Sequence, residues 1–177
     1  MTPTSPYPKL LAAHPLMMCV VLGAFTVAIV AITRIATIAM STTLPWLSFP
    51  APLPWFVPVI MATLLVRRSG AALVTGTIGA IGGGGMAFLA AIIVELCALP
   101  FKAEWKLSLW WAMLAGAGIG VMSFGFMFMF PEFAEVSAQL KIAGFIARIL
   151  TSCIYGALAF WLVQKLHSIG IGGPSRP

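Results

Sequence analysis

The chain is built from long apolar runs separated by short polar or proline-rich breaks, and this pattern limits its possible folds more than any other feature. Apolar residues make up 61% of the 177 positions and charged residues only 8%, whereas about a quarter of a soluble domain is charged. At about 20 residues per membrane-spanning helix, this length allows about six spans and leaves no room for a soluble domain. The composition predicts a single integral membrane domain over residues 1–177, with no place for a soluble ATPase, kinase or nucleic-acid-binding module.

The breaks between apolar runs define six predicted helices. Prolines at positions 45, 50, 52 and 54 end the first run, and Arg67-Arg68-Ser69-Gly70 ends the second. The stretch 71–99 contains four consecutive glycines at 82–85, each costing about 1 kcal/mol inside a helix, so a turn is favoured there over one tilted helix. The predicted helices cover residues 15–40, 51–66, 71–83, 86–100, 107–130 and 141–166.

Basic residues test the six-span count independently. With six spans and the N-terminus inside, only Lys141 falls in an outer loop. The cytoplasmic side then receives Lys9, Arg67, Arg68, Lys102, Lys106, Lys165 and Arg176. This asymmetry follows the positive-inside rule and predicts an all-α, six-transmembrane-helix bundle in the inner (plasma) membrane, with both termini cytoplasmic. The lipid bilayer is then its environment, and nucleic acid is not a predicted partner.

Three charged residues lie inside apolar runs, where an unpaired charge costs about 3 kcal/mol or more. Counted from the outer helix ends, Glu95 and Arg148 both lie roughly 10–14 Å deep. They form either a packing salt bridge or two walls of a solute site open to the outside. Arg34 either extends to the headgroups or joins that site. Trp55 is either an interfacial tryptophan or a surface on which a heteroaromatic ligand stacks.

The candidate substrate-binding residues are therefore Glu95, Arg148, Trp55 and Arg34. No serine, histidine and acid are placed for hydrolysis, and the chain contains no metal-binding motif or phosphate loop. We therefore predict no enzymatic activity, no metal site and no cofactor. On the first helix, Gly23, Ala24, Ala28 and Ala31 form a stripe of small side chains that another helix can approach closely.

The order of these features resembles the substrate-binding (S) component of energy-coupling factor (ECF) transporters, and within it the YkoE-like subgroup. The resemblance covers residues 15–170 and rests on the order and spacing of several short sequence features. They are the segment Arg67-Arg68-Ser69-Gly70-Ala71-Ala72, Trp55 opening the preceding helix, Glu95 late in helix 4, the basic segment Lys102–Lys106, and Arg148 followed by small residues. The chain departs from the family in having Ser69 instead of proline, and glycines at 76, 79 and 82 where thiamine-type members carry acids.

The resemblance implies a substrate-capture subunit of an ECF-type ABC importer for a small vitamin-like solute, such as thiamine or its hydroxymethylpyrimidine precursor. It also implies that Ala24 and Ala28 dock the bundle onto a transmembrane coupling subunit that works with two ATPase subunits. Two alternatives stay open from the sequence. One is a stand-alone secondary carrier with Glu95 as its proton site, and the other is a non-transporting structural or assembly membrane protein.

Overall fold

The computed structural model describes residues 13–43, 54–82, 85–101, 107–129, 133 and 136–171. Within these residues the chain is helical and contains no strand, which confirms the all-α prediction. The described helices of ten or more residues are α1 (Ala13–Thr43), α2 (Val57–Val66), α3 (Ala71–Ile81), α4 (Gly85–Ala98), α5 (Leu109–Gly125) and α6 (Ala138–Ser168). Short 3-10 turns extend α4 over Leu99–Phe101 and α5 over Phe126–Met129.

The glycine-rich stretch divides two helices, as predicted from its helix cost. Helix α3 ends at Ile81, and α4 begins at Gly85. The two helices pack closely because Gly76 faces Ala87 and Ala91 without room for a methyl group. Helices α3 and α4 therefore form a helical hairpin instead of one long tilted span.

Helix α2 lies in the centre of the bundle. Nine of its ten residues are buried, and it contacts α1, α3, α4 and α6. It begins later than the predicted 51–66, since Trp55 and Phe56 form a turn before it and Pro58 occupies its first turn, where proline is tolerated. Residues 51–53 lie outside the described residues. A short helix enclosed by other helices does not need to match the bilayer thickness itself.

Among the described residues, three helices are long and apolar enough to cross a membrane: Ala13–Ala36 within α1, Leu109–Met129, and Ala138–Ser168. The helices α2, α3 and α4 have 10, 11 and 14 residues, fewer than the ~20 that a simple span requires. Large apolar side chains such as Ile35, Trp110 and Met129 are about 70% exposed or more. Outward-facing apolar side chains of this size are typical of a bundle surrounded by lipid.

Helices α5 and α6 form the closest pair. A methyl group on Gly116 would collide with the Ser152 carbonyl, and one on Gly156 would collide with the Ala112 carbonyl. The two backbones therefore touch, as small-residue helix interfaces in membranes do. This contact holds α6 at a defined distance and rotation beside α5, and so determines where Arg148 lies.

Candidate solute-binding cavity

A cavity of about 380 Å³ lies where α1 approaches its C-terminal end and α2 and α4 begin. This volume is within the range of small-molecule sites, about 300–1,000 Å³. Its described lining consists of Val30, Thr33, Arg34, Ile38, Trp55, Met86, Ala87 and Arg148. Three of the four residues singled out from the sequence, Arg34, Trp55 and Arg148, thus share one cavity.

Trp55 forms part of the cavity wall next to the central helix. It is only 8% exposed, and its ring meets Phe56 edge to face with 5.4 Å between centroids. Phe56 in turn contacts Tyr155 of α6 with 6.1 Å between centroids. The aromatic contacts fix the indole in place, so its position is set before any ligand arrives.

Arg148 is partly buried and is oriented by α5. Its Nε donates a hydrogen bond to Ser123 Oγ at 2.9 Å, and the Ser123 hydroxyl donates to the Gly120 carbonyl at 3.0 Å. Gly120 also lies against Ser152 and the Arg148 backbone, with 2.9 Å from its ideal Cβ position to Ser152 Oγ. The α5–α6 glycine contact and this serine together hold the guanidinium at the cavity.

Arg34 reaches the same cavity from α1, where Thr33 precedes it. Arg34 is exposed. Thr33 is half-buried, and its hydroxyl donates a hydrogen bond to the Ile29 carbonyl at 2.7 Å. The two arginines therefore come from the first and last helices of the bundle. Arg34 is the more accessible of the two.

The structure places Glu95 in another environment. It is buried, with 8% exposure, and its Oε1 accepts hydrogen bonds from the backbone N–H groups of Gly70 at 2.8 Å and Ala72 at 3.3 Å. Glu95 thereby caps the N-terminus of α3, where Gly70 has no side chain to serve as the cap. Glu95 is not among the described residues that line the cavity.

The structure therefore does not bring Glu95 and Arg148 together in the described lining of the cavity. Arg148 shares the cavity with Met86 and Ala87 at the start of α4, while Glu95 lies eight residues after Ala87, about 12 Å further along the helix axis. Sequence reasoning also missed Thr33, Met86 and Ser123. For Ser123 a signal existed, since it is an isolated hydroxyl in an apolar helix, but nothing in the sequence paired it with Arg148.

The residues of the small-residue stripe on α1 lie in two different environments, one buried and one exposed. Gly23 packs against Ile78 of α3, and the ideal position of its Cβ lies 2.7 Å from the Ile78 Cβ. Ala24, Ala28 and Ala31 are exposed on the outside of the bundle. Only the first position thus serves packing between α1 and α3.

The described residues contain no group of three or more histidine, cysteine, aspartate or glutamate side chains that could bind a metal ion. Cys19 is buried, Cys97 and Cys153 are partly buried, and all three are free thiols. The described lining of the cavity therefore consists of two guanidinium groups, one hydroxyl, one indole and several apolar side chains.

Comparisons by sequence and by structure give different results for this chain. The sequence matches no protein-family profile, and no curated protein matches it significantly. Among solved structures, one described as the crystal structure of an S-component of an ECF transporter matches with a TM-score of 0.79. The match covers 90% of this chain and 87% of that chain at 21% sequence identity. The chain therefore has the fold of that S-component.

Proposed function

We propose that this protein is the substrate-capture membrane subunit of an ECF-type ABC importer, and that it binds a small vitamin-like solute in the cavity between α1, α2, α4 and α6. One observation carries the proposal: Arg34, Trp55 and Arg148 meet in one cavity of about 380 Å³ on a fold shared with an S-component. In this proposal the chain is a multi-pass protein of the inner (plasma) membrane, and no catalytic step is assigned to it.

The proposed orientation places the cavity on the outer side. The segment after α2 carries Arg67 and Arg68, and the positive-inside rule assigns it to the cytoplasm. The cavity lies at the opposite end of α2, beside Trp55. A solute would therefore enter from outside. Both termini, residues 1–12 and 172–177, lie outside the described residues, and their cytoplasmic placement belongs to the proposal.

For the partners, we propose a transmembrane coupling subunit and two ATPase subunits, with Ala24 and Ala28 as the docking surface. Both alanines are exposed on α1 and lie four residues apart, on one face of the helix. Their small side chains allow a partner helix to approach closely. Replacing both with leucine would hold such a helix away.

The lining also bears on the solute and on the alternative functions. Thiamine carries a cationic thiazolium, which would lie beside two guanidinium groups, so its neutral hydroxymethylpyrimidine precursor fits the described lining better.

A secondary carrier driven by protons would need a titrating group at the solute site, and the described lining contains no carboxylate. For a purely structural protein, a cavity of this size with a fixed indole and two arginines would have no role.

Purification from native membranes tests the proposal. The wild-type protein is expected to copurify with a coupling subunit and ATPases and to release a bound small molecule in native mass spectrometry. The double variant Ala24→Leu/Ala28→Leu is expected to lose the partners and keep the solute, whereas Ala143→Leu, an exposed alanine on α6, is expected to keep both. ATP-independent uptake by the isolated protein in liposomes would instead indicate a secondary carrier.

A further inference from the structure

Helices α2 and α6 bring basic side chains together at the end of the bundle opposite the cavity. The two helices run side by side in the same direction. Phe56, before α2, contacts Tyr155 with 6.1 Å between ring centroids, and Arg67, after α2, interacts electrostatically with His167. Lys165 lies in the same last turn of α6 as His167. Arg67 and Lys165 are both exposed.

The length of α6 places Lys165 at the surface of the bilayer. The helix has 31 residues and is therefore about 46 Å long, whereas the hydrocarbon core is about 30 Å thick. Its last turn thus extends into the headgroup layer. The Nζ of Lys165 lies 5.8 Å from the centroid of the Trp161 ring, and Trp161 is 53% exposed. A tryptophan beside a basic residue on an outward face is typical of the membrane interface.

The backbone at Arg67 points to a use for its side chain. With φ 49° and ψ 46°, Arg67 is the one non-glycine residue of positive φ in the part of the chain that the structure describes. Helices commonly end on glycine in this conformation, because glycine has no Cβ to strain it. The Arg67 N–H donates to the Thr63 carbonyl at 2.9 Å, a bond that glycine would make equally well. The end of α2 therefore does not require arginine, and what arginine adds is an exposed guanidinium group.

The charge at this end of the bundle is positive. Glu95 is the one acidic residue among those that the structure describes; it is buried, and its Oε1 accepts the Gly70 N–H at 2.8 Å. Residues 102–106, between α4 and α5, lie outside the described residues, and their sequence holds two lysines and one glutamate. Anionic phospholipid headgroups complement this charge, and their phosphate oxygens match the paired N–H donors of arginine.

We propose that Arg67, Lys165 and Trp161 form a binding surface for anionic phospholipid where α2 and α6 end. Arg67 and Lys165 bind the headgroup phosphates, and Trp161 packs beside the lipid below them. This lipid surface goes beyond the proposed solute capture and does not depend on it. In the proposed orientation it faces the cytoplasmic leaflet.

The experiment mixes delipidated, detergent-purified protein with equal amounts of phosphatidylglycerol and phosphatidylcholine and counts each retained lipid by native mass spectrometry. The wild type is expected to prefer phosphatidylglycerol several-fold, and the preference should shrink as ionic strength rises from about 0.05 to 0.5 M. Arg67→Gln and Lys165→Gln are each expected to lower phosphatidylglycerol retention about 5-fold and to leave phosphatidylcholine unchanged.

Lys141→Gln removes the same charge from the opposite end of α6 and is the matched control. It is expected to retain phosphatidylglycerol like the wild type. An equal loss in this control, or a wild type without preference for the anionic lipid, would overturn the proposal.

Arg67→Gly separates lipid binding from folding. Because glycine suits a φ of 49°, this variant is expected to unfold at the same temperature as the wild type or higher, while losing phosphatidylglycerol as Arg67→Gln does. Unchanged retention in both Arg67 variants and in Lys165→Gln would contradict the proposal. If these variants keep the lipid but lose a copurifying coupling subunit, the surface docks a protein and the lipid assignment is wrong, whereas solute capture is unaffected.

Discussion

Replacing Glu95 with alanine tests whether this acid caps α3 or contacts the solute. In the structure its Oε1 accepts the N–H of Gly70 at 2.8 Å and of Ala72 at 3.3 Å. Gly70 is the N-cap residue of α3 and has no side chain, so the cap for this helix comes from a residue on α4. Alanine would leave both N–H groups without this acceptor.

The expected loss of stability follows from these two contacts. A hydrogen bond to a charged group contributes about 1.5–3 kcal/mol, and the Gly70 contact has the shorter distance of the two. The Ala72 contact is longer and weaker, but Ala72 is fully buried, so leaving its N–H unsatisfied costs about 1–3 kcal/mol. We therefore expect Glu95→Ala to lower the free energy of unfolding by about 3–4 kcal/mol. Glu95→Gln keeps an acceptor oxygen and loses the charge at a helix N-terminus, which costs about 1 kcal/mol.

The assay is thermal unfolding of the purified protein in detergent, followed by intrinsic tryptophan fluorescence. At about 2–4 °C per kcal/mol for a chain of this length, Glu95→Ala is expected to lower the midpoint by about 10 °C. Leu96→Ala, at the neighbouring exposed position of α4, is the control and should shift the midpoint little. If Glu95→Ala and Glu95→Gln both unfold like the wild type but lose solute binding, the capping role is wrong and Glu95 contacts the solute.

Two further predictions concern the contact between α5 and α6. Gly156→Ala places a methyl group against the Ala112 carbonyl and is expected to destabilise the protein by about 1–3 kcal/mol, whereas Gly125→Ala, which has open space around it, should unfold like the wild type in the same thermal assay. Ser123→Ala removes the hydrogen bond to Arg148 Nε and is expected to weaken solute binding about 3- to 10-fold in a titration. Unchanged affinity in Ser123→Ala would show that Arg148 does not depend on this serine for its position.

The all-helical architecture was predictable because its signals are local. The helix ends are set by local features, namely the proline cluster, the Arg67-Arg68 pair and the glycine run. Because of this, an α-helix occurs within each of the six predicted segments. Helix lengths were less predictable. The run 107–130 becomes an α-helix to Gly125 followed by a 3-10 turn, and nothing in its composition marks that change.

The number of membrane spans depends on tertiary packing, which the sequence does not display. Helix α2 is apolar enough to be read as a span, yet it is enclosed by four other helices and has ten residues. An apolar helix surrounded by protein has the same composition as one surrounded by lipid. Six spans are therefore a proposal, while three helices in the described part of the chain meet the length requirement on their own.

Glu95 and Arg148 show that a position counted along a helix does not predict which partners a side chain contacts. Each lies ten residues after the start of its own helix, about 15 Å along the axis. Helix α4 has only 14 residues, so Glu95 is close to its C-terminal end, whereas α6 has 31 and Arg148 lies nearer its N-terminal end. The contacts separate the two residues: Glu95 accepts hydrogen bonds from backbone N–H groups at the start of α3, and Arg148 lines the cavity and donates to Ser123.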